Sequence, residues 1–369
     1  MRSSTILPLH PGRAPRWLFG RMVRLSGAIS EAIIDEFGPD ELLRRLCDKD
    51  WFQALSCTIG YDWHSSGTTT VTMGALKEGL KDNSDLFIAG GKGKAGINTP
   101  EDIVKGTDRL SIPSSSGEFT QNSRLAAKVD GALVYDGIGI YHHNFVFTKN
   151  QKWGVIQQAM DPQTRMAIRF QWLSESLDRS DVTKEPHTSV YSDMKKDTMD
   201  LTYDSNTWAK SSSLELVKDP KSISDHLKEA QHRQFTLSGS TSIAPDLASY
   251  PARHYIIRGD ISKQGWDAIR RAGDTSPRDY KELLLVKGMG RSTLRSLAFV
   301  SSLIYGKELA YRDPVAYSYN VGGKDGIPFP VNRRAYDHVI SEMEHIVDSA
   351  NLDRQEKYRA LRRLSAVLN

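Results

Sequence analysis

The hydrophobic spacing of this chain changes period along its length, and that change limits the folds it can adopt. Over residues 15–37, Leu18, Met22, Leu25, Ile29, Ile33 and Phe37 recur every three to four positions, which lines them up on one stripe of a helix. Gly38 and Pro39 end it. Further helices are expected over residues 40–47 and 51–59, and a glycine-interrupted one over 69–80, where Gly74 and Gly79 break the pattern. From residue 132 the spacing becomes that of strands, at 132–135, 140–148, 153–159 and 166–173, with turns at 149–152 and 161–164. Consecutive strands joined this closely make an antiparallel meander whose apolar face needs a cover, and the N-terminal helices can supply it. The expected fold class is α+β, with N-terminal helices packed on an antiparallel meander, followed by a mainly α-helical domain containing a helix-hairpin-helix.

Residues 176–222 are polar and irregular, including Ser211, Ser212 and Ser213, so a boundary is placed near 205–220. It divides an α+β domain of unassigned function, residues 1–210, from a helical domain, residues 211–369, a division that a 369-residue chain is long enough to support. Helices are expected there at 222–235, 262–271, 277–285, 292–305, 333–350 and 355–368. No apolar run is long enough to cross a bilayer and the N-terminus lacks a secretory pattern, so a cytoplasmic protein without a membrane partner is expected. Cys47 and Cys57 lie among apolar residues, which suits buried thiols in a reducing compartment. The net charge of +4 identifies no partner, but Arg2, Arg13, Arg16, Arg21 and Arg24 are unopposed by any acidic residue in the first 26 positions. Such a cluster either attracts a phosphate backbone or is a solvated helix surface.

The segment with the clearest chemistry is residues 276–306. Ser276, Pro277 and Asp279 read as an N-cap, a first helical position and a capping-box acid, and the helix they begin runs into Val286-Lys287-Gly288-Met289-Gly290. Two glycines two residues apart permit a tight reversal and leave backbone N–H groups unshielded. A second helix then begins near Ser292 and aims its own unpaired N–H groups the same way, a concavity that fits a phosphate oxygen. Lys287, Gly288, Gly290, Arg291, Ser292, Thr293 and Arg295 are the candidate nucleic-acid contacts. Phosphate contacts position a protein without reading bases, so sequence-independent binding is expected, to DNA first and RNA second. The competing explanation is a helix pair used only for packing.

Three other groups carry possible chemistry. Asp62 and His64 follow a helix end, where loops present functional groups. Gly90-Gly91-Lys92-Gly93-Lys94 has the character of a phosphate-binding loop without being a Walker A sequence, so Lys92 and Lys94 either contact an anion or decorate a surface loop. Asp130, Asp136, His142 and His143 bracket a predicted strand on which adjacent side chains face opposite ways, so at most one of the two histidines points into a given site. Gln157, Gln158, Arg165 and Arg169 follow on the meander. This polar face could hold a divalent metal such as Mg²⁺ or Mn²⁺ through Asp and His, or clasp a strand through Arg and Gln. No established metal-ligand spacing is visible. A metal-assisted phosphodiesterase would draw its catalytic groups from Asp62, His64, Asp130, Asp136 and His142.

The stretch 276–306 resembles the helix-hairpin-helix of DNA glycosylases, the endonuclease III type especially, in which a lysine precedes the first hairpin glycine as Lys287 does here. A later segment, PFPVNRRAYDHV at 328–339, looks like the catalytic element of that family but has Asn332 where the resemblance implies an aspartate. Over nearly its whole length the chain resembles a different family, the archaeal and bacterial proteins called DUF763. The matching segments are LPLHPGRAPRWLFGRM at 7–22, WFQALSCTIGYDWHSSGTTTVTMGALKE at 51–78, IAGGKGKAG at 88–96, SRLAAKVDGALVYDGIGIYHHNFVF at 123–147 and VGGKDGIPFPV at 321–331. That resemblance brings no chemistry of its own. The leading expectation is a sequence-independent DNA-binding protein of repair, recombination or nucleic-acid processing, with a metal-assisted nuclease as its enzymatic form. The alternatives are a non-catalytic architectural or adaptor protein and an enzyme acting on a nucleotide or other phosphorylated small substrate. Whether the chain is an enzyme, and its oligomeric state, are left open by the sequence.

Overall fold

Helices whose apolar stripes are built as above pack first on one another. They are α1 (Arg16–Phe37), α2 (Pro39–Leu46), α3 (Lys49–Ile59) and α4 (Ser66–Gly79) in the computed structural model. The structure describes residues 16–60, 66–134, 138–160, 167–178, 181–191, 198–226, 261–312, 341, 345–350, 355 and 357–358. Asp48 caps α3 by accepting from the backbone N–H groups of Asp50 and Trp51. The glycines that interrupt the α4 pattern have a packing purpose: a Cβ on Gly79 would lie 2.7 Å from the Val23 carbonyl oxygen and 3.1 Å from Gly27 Cα. Small residues at that crossing let the backbones of α1 and α4 approach, which offsets the helix propensity they lack.

The central sheet is β1 (Leu86–Lys92), β2 (Gly139–Thr148), β3 (Trp153–Met160), β4 (Ala167–Leu173) and β5 (His187–Tyr191), ordered β1-β2-β3-β4-β5 and antiparallel throughout. Between β1 and β2 the chain forms α5 (Lys94–Ile97), α6 (Thr99–Arg109) and α7 (Ser116–Val129). Two strands go beyond the sequence expectation. β1 continues through the Gly90-Gly91-Lys92 segment read there as a loop, and β5 lies in the stretch read as irregular. The strand expected at 132–135 is instead a π-type turn over Asp130–Val134 that prolongs α7. Ala132, Leu133 and Val134 are buried there, and a short apolar run carries no period that separates a strand from a helical turn.

Both faces of the sheet are covered. Leu86, Ile88, Val146 and Ile156 pack with Met22, Ile29, Leu42 and Phe52 of the N-terminal helices. Ala89, Phe145, Phe147 and Val155 on the other face pack with Ile103 of α6 and Phe119, Leu125 and Val129 of α7. That second core continues into the C-terminal helices through Leu216, Ile269, Leu284 and Leu297.

Those helices are α8 (Thr207–Leu216), α9 (Lys263–Thr275), α10 (Tyr280–Leu285) and α11 (Arg291–Tyr305), and a short ladder pairs β6 (Thr198–Met199) with β7 (Tyr311–Arg312). The stretch where a boundary was expected therefore holds α8, which packs on α11. Within α8 the serine hydroxyls bond back to carbonyls four residues earlier, Ser211 to Thr207, Ser212 to Trp208 and Ser213 to Ala209, while the helix is held by burial of Ala209, Ser213 and Leu216. Helix is present at 220–226, while most of the helices expected over 222–235, 333–350 and 355–368 lies outside the described residues, as does Asn332. Among the described residues no helix is long and apolar enough to cross a membrane.

Candidate functional site

Where β1 ends, its glycines bring the chain into unusually close contact with β2. Gly90 has φ +85°, and a Cβ there would stand 2.2 Å from the His143 carbonyl oxygen. The turn is pinned from the helix side. Lys77 Nζ donates to the Gly90 carbonyl and to Asp102, each at 2.7 Å, and the same Asp102 carboxylate accepts from the Gly90 N–H at 3.1 Å. Beyond it lies an open cleft of ≈ 870 Å³, with Gly93, Gly96 and Ile97 on one side, Ser123 and Arg124 of α7 on another, His142 and His143 of β2 in its wall, and Arg291 of α11 at its far edge. Ile97 is 78% exposed and forms an apolar lip.

Under the cleft runs a chain of buried polar contacts. Ser123 Oγ lies 2.8 Å from His143 Nε2, and His143 Nδ1 lies 2.7 Å from Gln157 Oε1. Gln157 Nε2 donates to the Ala126 carbonyl at 3.1 Å and to the Asp130 carboxylate. Asp130 is further held by Trp172 Nε1 at 2.9 Å and His187 Nε2 at 2.6 Å. These partners fix the protons. The Gln157 NH₂ faces two acceptors, so its Oε1 faces His143 and can only accept; Nδ1 must carry the proton, and Nε2 is left to accept from the Ser123 hydroxyl. Burial lowers the His143 pKa, while Gln157 and the charge of Asp130 oppose that shift.

His142, the neighbouring residue on β2, has opposite company. It is 2% exposed, lines the same cleft, and neither ring nitrogen meets a partner with hydrogen-bond geometry. Burial, reinforced by His143 and Lys92, pushes its pKa down to about 3, although the side chain of Asn144 lies near enough to oppose the shift. A neutral imidazole with both nitrogens available can accept through one and donate through the other.

The α10–α11 hairpin sits beside this cleft. Its turn is held from behind by two cations: Arg271 donates twice to the Lys287 carbonyl, at 3.0 and 2.7 Å, and Lys128 of α7 donates to the Met289 carbonyl at 2.9 Å. Lys287, Gly288, Gly290 and Ser292 are exposed. Arg291 donates to the Ile138 carbonyl at 2.7 Å and so bridges the hairpin to the start of β2. Thr293 is buried against α9, where a Cβ on Gly265 would come within 2.5 Å of its Oγ1, and Arg295 is buried near Tyr280, whose phenol pKa burial raises and Arg295 opposes. The N-cap of α10 is Asp279, which accepts from Glu282 N–H at 2.8 Å; Ser276 instead ends α9 in a left-handed conformation at φ +47°. The N-cap thus lies three residues later than the sequence signal, and Pro277 falls in the link between α9 and α10.

Of the other candidates from the sequence, Lys92 and Lys94 are exposed beside the cleft, with Lys92 Nζ 6.0 Å from the Tyr141 ring centre. Asp130 is buried beneath the polar chain rather than at a surface. Asp62, His64 and Asp136 lie outside the described residues. Among the described residues no group of three His, Cys, Asp or Glu side chains is clustered as a metal would require. The contact between Ser123 and His143 is not foreseeable from the sequence, since α7 and β2 meet only through tertiary packing. The strand alternation expected to send at most one of His142 and His143 into a given site does not hold here: both line the cleft, next to a shift in the β2–β3 register between Ile140 and His142.

No curated protein and no solved structure matches this chain. A family model described as "Protein of unknown function (DUF763)" matches residues 3–331, nearly the whole of the 369-residue chain. The chain belongs to the DUF763 family.

Proposed function

We propose that the protein binds the sugar-phosphate backbone of DNA without reading its sequence, in repair, recombination or nucleic-acid processing, and that the hairpin and the cleft form one binding surface. The position of Arg291 carries this reading. It stands in the first turn of α11, beside the exposed Lys287, Gly288, Gly290 and Ser292, and it also lines the cleft that holds Arg124, with Lys92 and Lys94 alongside. Gly290 caps α11 without a side chain, so the first-turn N–H groups face outward at the positive end of the helix dipole. Backbone donors and lysine or arginine side chains on one surface suit a run of phosphates.

Fluorescence anisotropy of labelled duplex and single-stranded DNA over a salt series tests this, with and without Mg²⁺ or Mn²⁺. Wild-type affinity should fall steeply with salt, and Lys287→Ala should reduce the log–log slope by about one. Gly290→Asp, which sets a carboxylate among the phosphate donors, should weaken binding at least tenfold, and Arg124→Glu should weaken it as well. Weak, salt-insensitive binding shared by all four proteins would overturn the reading. A second reading, an enzyme acting on a nucleotide or similar phosphoester, is favoured by the cleft volume of ≈ 870 Å³, which lies within the range of small-ligand sites.

A further inference from the structure

We propose that Ser123 is a nucleophile activated by His143, and that the pair hydrolyses a phosphodiester held in the cleft; the substrate class rests on the phosphate-binding reading above, but the activation of Ser123 does not. Three observations carry it. The hydrogen-bond chain from Asp130 through Gln157 leaves only one tautomer for His143, with its lone pair on the nitrogen 2.8 Å from Ser123 Oγ. That is the relation of nucleophile, base and orienting group required to make a hydroxyl attack. The orienting group is an amide backed by a carboxylate, so Gln157 and Asp130 are positioning residues.

Ser123 and His143 both contribute to the cleft wall, although each is buried, at 2% and 6% exposure. Next to His143, His142 lines the same cavity while more than nine-tenths buried, and neither ring nitrogen meets a partner with hydrogen-bond geometry, the nearby side chain of Asn144 included. An unpaired buried imidazole costs stability unless something in the cleft bonds to it, and the oxygen of a bound phosphodiester is such a group. Arg124 and Arg291 on the cleft supply charge that an anionic ester attracts and a neutral carboxylic ester does not.

The chemistry closes without a further reactant other than water. As Ser123 Oγ forms a bond to phosphorus, its proton passes to His143 Nε2. The P–O bond to the leaving group breaks, and that oxygen takes the proton from Nε2. Water then gives a proton to Nε2 as its oxygen bonds to phosphorus; the P–Oγ bond breaks and Ser123 recovers the proton. The net change is a phosphodiester plus water giving an alcohol and a phosphomonoester. While His143⁺ exists, the nearby Asp130 carboxylate favours it, as the Asp of a serine hydrolase does for its histidine.

A fluorophosphonate probe tests activation without any nucleic acid. On the full chain, one adduct mapping to Ser123 by peptide mass is expected, absent from Ser123→Ala and slowed at least a hundredfold in His143→Asn. Gln157→Leu should slow it at least tenfold and shift its pH dependence, an effect that a purely structural role would not produce. Each variant is compared at equal folded fraction by circular dichroism. Ser123→Cys supplies a second route: its thiol should alkylate with iodoacetamide faster than the buried Cys47 and Cys57, and His143→Asn should remove that advantage. Folded wild type with no adduct on Ser123, or an adduct indifferent to His143→Asn, would overturn the nucleophile while leaving DNA binding intact. Substrate class is read from bis(p-nitrophenyl) phosphate, a dinucleotide and labelled DNA, set against p-nitrophenyl acetate. Turnover of any phosphodiester that is lost in Ser123→Ala supports the assignment, and the dinucleotide against the polymer identifies the source. Turnover of the acetate alone, or an adduct without turnover of any phosphodiester, would overturn it.

Discussion

Two glycine–lysine segments of this protein look alike in sequence and behave differently in structure. Gly90-Gly91-Lys92-Gly93-Lys94 ends β1 with its backbone pressed against β2, whereas Lys287-Gly288-Met289-Gly290-Arg291 turns on the outside of the helical region. At the first segment glycine is demanded by backbone: the missing Cβ would occupy the space of the His143 carbonyl. At the second, only Gly288 needs a left-handed conformation, at φ +85°, and the atom it would meet is the tip of Arg271, at 2.8 Å. The same residue pattern thus marks a buried contact that shapes the cleft in one place and an exposed turn in the other.

The comparison is easiest to break at Gly90. Gly90→Ala must combine a positive φ with a clash against fixed backbone, and about 4 kcal/mol of destabilisation is expected from strain and overpacking together. Chemical denaturation measures it. A loss under about 1 kcal/mol would mean that the strand end is not held where Lys77 and Asp102 hold it.

Acid should separate the two segments next. The folded-state pKa of His142, about 3, lies below its ordinary 6.5, so the unfolded chain binds more protons between those values. The penalty is absent well above pH 6.5 and grows as pH falls towards 3, reaching roughly 3 kcal/mol by pH 4. His143 shifts in the same direction. Stability lost between pH 7 and pH 4 should exceed that of His142→Leu by this amount, and hydrogen exchange should rise first at the β1–β2 end. Equal acid losses in the two proteins would show that His142 is not buried neutral.

Gly288→Ala comes third, at about 2 kcal/mol, from the left-handed conformation and the displaced Arg271 guanidinium that bonds the Lys287 carbonyl. Thermal melts of the alanine variant alone and combined with Arg271→Ala should show costs that do not add, because one contact is lost in both.

What could be read from the sequence follows the range of the interactions. The stripe of α1 from Met22 to Ile33 and the meander β2–β4 were legible because local periodicity reports burial, although Phe37, which continues the stripe, is 44% exposed at the end of the helix. β1 was not, since Gly90 and Gly91 have low strand propensity and are tolerated there only because β2 and Asp102 hold them. The serines of α8 hid a helix in the same way. In the cleft, His142 was singled out as a polar residue on a strand, but Ser123 in α7 and His143 in β2 are twenty residues apart and share no local pattern. Their pairing exists only once α7 lies on the sheet, and the tautomer that makes it chemically interesting depends on Asp130 and Gln157 from two further elements.

The smallest expected effect is also the sharpest contrast. Gly290, two residues from Gly288, has an extended backbone at φ −114°, and the nearest atom to an added methyl is the Gly288 carbonyl oxygen at 3.9 Å. Gly290→Ala should therefore change stability by less than about 0.5 kcal/mol, within the usual range of surface substitutions. If it binds DNA as wild type does, the hairpin approaches phosphate through Gly288 and the α11 N–H groups with room to spare at 290. Should it fold normally yet bind at least fivefold more weakly, the phosphate comes within van der Waals distance of Gly290 itself. That glycine would then be required by the bound backbone rather than by the protein, the reverse of Gly90.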